Sequence, residues 1–331
     1  MMSCKKLLVL YTGGTIGMQM SATGLAPASG FEARLRNQQR LEAQPLPQWS
    51  FAELLPPIDS ANMNQHNWLA MVAAIRAGIE QDGCDGVLLL HGTDTLAYSA
   101  AALSFLLLGL SVPVILSGSM LPAGAEGSDA WGNLFGAMRA LQAGVTPGVH
   151  LYFNGALLHG ARVSKLRSDA FDAFHVLPRQ RQRQSPRAEN IPASIDYRQP
   201  RQPVNLAVLP FYPGIQSSHV RALLDSGIQG LLLECYGSGT GPADDAELLG
   251  TLKAAHDRGV VMAAISQCPH GHVEFGVYAA GSQLASAGLI SAGGMTREAA
   301  LGKLFALLGA GLTQVEVERW FALDVCGERA D

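Results

Sequence analysis

Lys5-Lys6-Leu7-Leu8-Val9-Leu10-Tyr11-Thr12-Gly13-Gly14-Thr15-Ile16-Gly17 opens the chain with an apolar run that ends in glycines and hydroxyls. Seventy residues on, Gly86-Val87-Leu88-Leu89-Leu90-His91-Gly92-Thr93-Asp94-Thr95 repeats the pattern. An uninterrupted apolar run this short, bounded by glycines, reads as a strand buried on both faces, as in a parallel sheet covered by helices. In an open α/β sheet, ligands bind outside the carboxyl ends of the strands. Two threonines delivered there from separate strands point to an active site.

The rest of the chain carries the same alternation. Leu7–Tyr11, Gly86–Leu90, Pro113–Ser117 and His150–Phe153 read as strands. Gln65–Gln81, with Trp68, Leu69, Val72, Ile75 and Ile79 at helical spacing, reads as an amphipathic helix. Thr95–Leu108 and Asp129–Gln142 complete a βαβ pattern, which implies a doubly wound, mainly parallel sheet. Asn205–Leu209, Gly230–Glu234 and Val260–Ile265 alternate with helices at His219–Ser226, Ala243–Asp257 and Thr296–Leu308, giving a second, smaller α/β domain. The expected organisation is an N-terminal domain over 1–190, a linker over 191–206 and a C-terminal domain over 207–331. Pro178–Pro203 is rich in Arg, Gln and Pro. Its four arginines between 179 and 187 lack interleaved aromatics, so a solvated linker is expected there in preference to a nucleic-acid arm.

Composition sets the bounds. The chain has 331 residues, 48% of them apolar and 15% charged, enough for two domains with large cores and too apolar for disorder. A net charge of -4 gives no case for binding nucleic acid. Cys4, Cys84, Cys235, Cys268 and Cys326 are odd in number, scattered and without a CxxC pair, so they read as reduced thiols. The apolar run behind Lys5-Lys6 is too short for a signal peptide, and Ala97–Leu110 is too short to span a bilayer. A soluble cytoplasmic protein without membrane attachment is expected.

The glycine turn at 13–17 is neither a G-x-G-x-x-G fingerprint nor a P-loop. Its interest lies in Thr15. A threonine hydroxyl is a weak nucleophile and needs a base. Asp94 adjoins Thr93, and an amine is available from Lys165, in the short loop Arg162-Val163-Ser164-Lys165; to act as a base it must lose its proton. No Cys/His set has metal-ligand spacing. His270 and His272, a close pair, read as loop residues.

Together Thr12–Gly17 and His91–Thr95 resemble the bacterial-type L-asparaginase family. So do Asp59-Ser60-Ala61-Asn62-Met63, Ser117-Gly118-Ser119-Met120, the Ser128-Asp129 and Asn133-Leu134 pairs, and the lysine of the 162–165 loop. The resemblance runs over nearly the whole chain, and the N-terminal form is similar to the cytoplasmic type I branch. It implies Thr15 as the nucleophile that forms a β-aspartyl ester, with Thr93, Asp94 and Lys165 as the activating triad. It implies substrate contacts from Gly14, Asp59, Ser60, Ala61, Gly92, Thr93, Asp94 and Ser119, Ala61 offering only its backbone. The implied reaction is hydrolysis of asparagine to aspartate and ammonia without metal or organic cofactor. One methylene is worth only ~1–3 kcal/mol, which leaves room for a weaker glutaminase activity. A homodimer or homotetramer is the implied assembly.

Two departures from the family pattern stand out. Leu25 occupies the place of a lid tyrosine, and Tyr278 is the candidate substitute, reaching into the site or a neighbouring subunit. An effector pocket described for some type I enzymes would involve Ser164, Glu234 and Cys268. Glu234 falls where those relatives carry an arginine, and the reversed charge weighs against a working pocket, with Arg162 as a compensating cation. Two other readings on the same scaffold are disfavoured, the first by a chain that starts straight into its first strand and the second by the intact set of Thr15, Thr93, Asp94 and Lys165. One is the asparaginase-like subunit of a tRNA amidotransferase, which carries an extra N-terminal domain. The other is a small-molecule sensor, which would need no activated hydroxyls.

Overall fold

The computed structural model describes residues 4–21, 24–176, 188 and 190–329. The chain divides into two compact units, Met1–Val176 and Leu177–Asp331. The arginine cluster at 179–187 lies outside the described residues.

The first unit contains β1 (Lys6–Gly13), β2 (Gln19–Ser21), β3 (Gly24–Ala26), α1 (Phe31–Gln39), β4 (Gln48–Ile58), α2 (Gln65–Glu80), β5 (Gly86–Leu90), α3 (Leu96–Leu106), β6 (Pro113–Ser117), α4 (Ala130–Ala143), β7 (Gly148–Phe153), β8 (Ala156–His159), β9 (Val163–Lys165) and β10 (Phe174–Val176). Its six-stranded sheet runs β4-β1-β5-β6-β7-β8, parallel except for the antiparallel edge strand β8. Strands β2–β3 and β9–β10 form two separate antiparallel ribbons. Period-2 geometry sends Leu7, Val9 and Tyr11 of β1 to one face, where they pack with Phe31 and Leu35 of α1 and Leu134, Phe135 and Met138 of α4. On the other face Leu8 lies against Gly78 of α2, close enough that a side chain at 78 would strike it. Each fully buried aliphatic or aromatic side chain in these layers contributes roughly 1.5–3 kcal/mol of transfer free energy.

β4 is the strand the sequence pattern hides. It carries Pro56 and Pro57 and is only half-buried, because it forms one edge of the sheet, where a missing N–H costs no ladder bond.

The second unit holds β11 (Leu206–Pro210), α5 (Ser217–Asp225), β12 (Gly230–Cys235), α6 (Ala246–Asp257), β13 (Val261–Ser266), α7 (Ala279–Ser286), β14 (Leu289–Ser291), α8 (Arg297–Leu308) and α9 (Gln314–Ala322). Its sheet, β11-β12-β13-β14, is parallel throughout. Leu231 and Leu233 of β12 and Met262 of β13 pack with Val220, Leu224, Leu248, Leu252 and Leu284 of α5, α6 and α7. The described part of the expected solvated linker is in fact tied down. Ile195 is fully buried, and the buried Arg201 guanidinium donates to the carbonyls of Ala306 (2.7 Å) and Ile195 (2.8 Å). Composition marked the segment as polar, but an arginine that caps a helix end is polar and packed at once.

Candidate active site

The two threonine turns meet because β1 and β5 are neighbours in register, from Leu7 opposite Gly86 to Tyr11 opposite Leu90. Beyond Tyr11, Thr12 donates its hydroxyl proton to Leu90 O (2.9 Å). Gly13 and Gly14 then take φ of 113° and 83°, a region open to glycine. Close approach demands glycine as well. A Cβ at Gly14 would lie 2.7 Å from the His91 carbonyl carbon and nearer still to Gly92 N and Cα. A Cβ at Gly92 would sit 2.5 Å from Ser60 Oγ and 3.1 Å from Gly14 Cα. Three backbones, at 13–15, 59–60 and 91–93, therefore share one small volume. Gly14 N–H completes the join by donating to Ile58 O (3.1 Å).

Thr15 begins a single 3-10 turn, Thr15–Gly17, and is half-buried. The turn rests on aromatic rings: Tyr11 stacks on Phe31 (5.1 Å) and Phe31 on Trp131 (5.7 Å). Arg34 donates to Gly17 O (2.8 Å), and Ala123 N–H to Ile16 O (3.2 Å).

Asp59 caps the next turn, its carboxylate accepting from Ala61 N–H (3.1 Å). Asn64 closes the segment with a capping box at the start of α2, accepting from the N–H groups of His66 and Asn67 while Asn67 Oδ1 accepts from Asn64 N–H. Such a cap stabilises a helix by about 1 kcal/mol, and here it also holds the turn that carries Asp59 and Ser60. Thr95 donates to Ser60 O (2.8 Å).

Lys165 arrives from β9, held in the ribbon opposite Phe174, whose ring packs edge-on against Phe153 (4.8 Å). Its Nζ donates to Thr93 Oγ1 (3.0 Å) and to Asp94 Oδ1 (2.8 Å). Thr93 is buried, the Lys165 side chain is 18% exposed and the Asp94 side chain 67%. A buried hydroxyl thus touches an amine, and the amine touches a carboxylate open to solvent. That arrangement can pass a proton between a bound molecule and Lys165 through Thr93.

Behind Thr93 lies a hydrogen-bond chain that the sequence motifs do not mark. His91 Nδ1 lies 2.7 Å from Gly92 O, His91 Nε2 2.8 Å from Ser99 Oγ, and Trp68 Nε1–H donates to Ser99 Oγ (2.9 Å). A carbonyl can only accept, so Nδ1 carries the proton and Nε2 accepts from the serine hydroxyl. Full burial pushes the His91 imidazole down to about 4 from 6.5, so the ring is neutral. The one clue in the sequence is Ser99, a polar residue inside the apolar helix α3.

The other expected residues fall as follows. Ser119 is fully buried, and its single hydroxyl proton goes to Leu121 O (2.6 Å). Ala61 is exposed beside the Asp59 turn. Leu25, half-exposed, faces Met20 in the β2–β3 ribbon, and Tyr278, 60% exposed, is the N-cap residue of α7 in the second unit. Ser164 is buried in β9 opposite His175. Glu234, next to last in β12, makes a two-point ion pair with Arg297, whose NH2 group lies 2.9 Å from Oε2 and whose Nε reaches Oε1. Cys268 is exposed, its N–H donated to Ser266 Oγ (3.1 Å). Among the described residues, no three His, Cys, Asp or Glu side chains cluster to hold a metal ion, and no helix is long and apolar enough to cross a membrane.

A doubly wound sheet with paired hydroxyl turns at its carboxyl edge, and an amine bridging one hydroxyl to a carboxylate, is the architecture of an α/β enzyme. Comparison with known proteins narrows it. Residues 6–191 match the domain family described as asparaginase, N-terminal, and residues 205–321 the glutaminase/asparaginase C-terminal domain. L-asparaginase 1 of Escherichia coli K12 is 36% identical over 99% of this chain and 98% of its own length. The crystal structure of L-asparaginase I from Vibrio cholerae superposes with a TM-score of 0.86 at 34% identity, covering 99% of both chains. The thermostable L-asparaginase of Thermococcus kodakarensis superposes at 0.85 with 29% identity, over 98% of this chain and 99% of its own. The chain belongs to the asparaginase family.

Proposed function

We infer that this protein is an L-asparaginase that hydrolyses L-asparagine to L-aspartate and ammonia through a threonine acyl-enzyme. The observation that carries the reading is the contact of Lys165 Nζ with both Thr93 Oγ1 and Asp94 Oδ1 beside the Thr15 turn.

In the first step Thr15 Oγ attacks the side-chain amide carbon of asparagine, and its proton passes to the amide nitrogen. The C–N bond breaks, and the nitrogen leaves as ammonia after taking that proton, which leaves a β-aspartyl ester on Thr15. In the second step a water molecule loses a proton through Thr93 to a neutral Lys165 and attacks the ester carbon; the ester C–O bond breaks, Lys165 returns the proton to the departing Thr15 Oγ, and aspartate leaves. The ammonium formed on Lys165 is held by the Asp94 carboxylate 2.8 Å away. The negative charge that develops on the carbonyl oxygen is met by the Thr93 backbone N–H, in a site enclosed by the Gly14 and Gly92 backbones. Asp59 and Asp94 supply carboxylates for the substrate's α-amino group, and Ser60 lies beside them for its α-carboxylate. The reading uses no cofactor. A weaker glutaminase activity, a cytoplasmic location and a homodimeric or homotetrameric assembly go with it.

The test is ammonia release from asparagine by the purified chain and by Thr15→Ala. Turnover by the former and none by the latter, with an unchanged circular dichroism spectrum, is expected. Near wild-type release by Thr15→Ala would refute the assignment.

A further inference from the structure

Asp129 and Asn133 belong to the motif set of this chain, yet the reaction above gives them no part. Their geometry ties them to it. Asn133 is buried at 3% exposure in the first turn of α4. Its Nδ2 donates to Gly118 O (3.0 Å) and to Asp129 Oδ2 (3.0 Å), and its Oδ1 accepts from Asn154 N–H (2.8 Å). The carboxamide has two N–H groups and both are used. The Asp129 carboxylate in turn accepts from the N–H groups of Met120 (3.0 Å) and Leu121 (3.1 Å). Two side chains from one helix end thus hold the loop that leaves β6, on both sides of Ser119.

That loop backs the Thr93 turn. His91 N–H donates to Ser117 O (2.9 Å). A Cβ at Gly118 would overlap the His91 carbonyl oxygen and lie 3.9 Å from Thr93 Cγ2. Residues 91–95 lie between β5 and α3; backbone bonds fix the ends, His91 N–H to Ser117 O and Ser99 N–H to Thr95 O, and the position of Gly92-Thr93-Asp94 between them depends on what flanks it. On this side the flank is the Gly118 peptide, and the side chain that holds its carbonyl is Asn133.

We propose that Asn133, oriented by Asp129, is a positioning residue for Thr93, acting through the Gly118 peptide; this rests on the reading of Thr93 given above. Without the carboxamide, Gly118 O is a buried acceptor with no donor from α4. The peptide then turns to find one and carries with it the surface against which His91 and Thr93 are packed. A displacement of about 1 Å in a catalytic group costs on the order of 10²-fold in rate, so even a partial shift is measurable.

The experiment is a cycle of four proteins: wild type, Asn133→Ala, Thr93→Val and the double variant. Ammonia release from asparagine is followed for hours at high enzyme concentration, and rates are normalised to folded protein by thermal unfolding. Asn133→Ala is expected to lower kcat at least tenfold with KM within threefold. In the Thr93→Val background the same change is expected to lower kcat less than threefold, because the group it positions is already gone. A purely structural Asn133 would lower the rate equally in both backgrounds, and that result, or a kcat for Asn133→Ala within threefold of wild type, overturns the proposal. A wild-type rate for Thr93→Val would instead overturn the reading of Thr93 itself, and the inference with it. If Asn133→Ala does not fold, Asn133→Met takes its place in the cycle. Methionine has no polar hydrogen to donate to Gly118, whereas the buried carboxyl of Asn133→Asp beside Asp129 would hold a proton and donate it.

Discussion

Gly14→Ala puts the packing of the two threonine turns to a direct test. Two penalties act at this position. Residue 14 has φ of 83° and ψ of 175°, a region essentially confined to glycine, and an L side chain held there costs roughly 1–3 kcal/mol. The new methyl group would also lie 2.7 Å from the His91 carbonyl carbon and closer to Gly92 N and Cα. Carbon atoms pack at ~3.5–4.0 Å, so the two turns must part by about 1 Å, and such overpacking costs a further ~1–3 kcal/mol. The total is about 2–6 kcal/mol of stability. The displacement separates Thr15 from Thr93, and a shift of that size lowers kcat on the order of 10²-fold. Gly83→Ala is the control. It has φ of 67° and no neighbour within 4 Å of the added carbon, so it bears the backbone penalty alone. Chemical unfolding and steady-state ammonia release on both variants give the answer: both are destabilised, and only Gly14→Ala loses kcat. A Gly14→Ala enzyme with wild-type kcat would refute the claim that these backbones set the catalytic spacing.

Lys165→Met and Thr93→Val are each expected to lower kcat by several orders of magnitude, with the double variant little worse than either, since the two atoms are joined by one 3.0 Å hydrogen bond; fully multiplicative losses would mean that they act separately. His91 gives a pH signature. Its imidazole takes up a proton near 6.5 when the chain is unfolded and only near 4 when folded, so its contribution is complete above pH 6.5 and is lost as the pH falls toward 4. Urea unfolding is expected to show wild type losing about 2 kcal/mol more than His91→Gln between pH 7 and pH 5; equal losses would show that the buried ring does not drive this dependence. Finally, Glu234 faces Arg297 in a pair with no net charge to attract an effector carboxylate. The rate is therefore expected to rise hyperbolically with asparagine, with a Hill coefficient of ~1; a sigmoidal curve that Ser164→Ala or Cys268→Ala makes hyperbolic would refute this.

Much of the architecture is legible along the chain. Leu7–Tyr11, Gly86–Leu90 and Gly230–Glu234 are strands buried on both faces, so their neighbours in sequence are apolar without break, and the glycines behind the first two mark where the sheet ends. Trp68 and Ile75 lie at helical spacing and both are buried in α2. Thr15, Thr93 and Asp94 could be singled out because each follows such a strand at once. Strand β4 could not, since a sheet edge removes the burial that makes a strand apolar and admits Pro56 and Pro57. The packing of Ile195 and Arg201 was equally invisible, because an arginine that binds carbonyls has the composition of a solvated one.

What the tertiary structure alone decided is which groups touch. Lys165 lies 72 residues beyond Thr93, and its placement depends on a short ribbon pinned by Phe153 and Phe174. The same holds for Trp68, Ser99 and His91, and for Asn133 behind Gly118. Local sequence specifies periodicity and turn chemistry, because these arise from each residue's own backbone and its burial. Hydrogen bonds between distant side chains arise from strand order, and strand order is settled only when all the helices and strands bury their apolar faces at once.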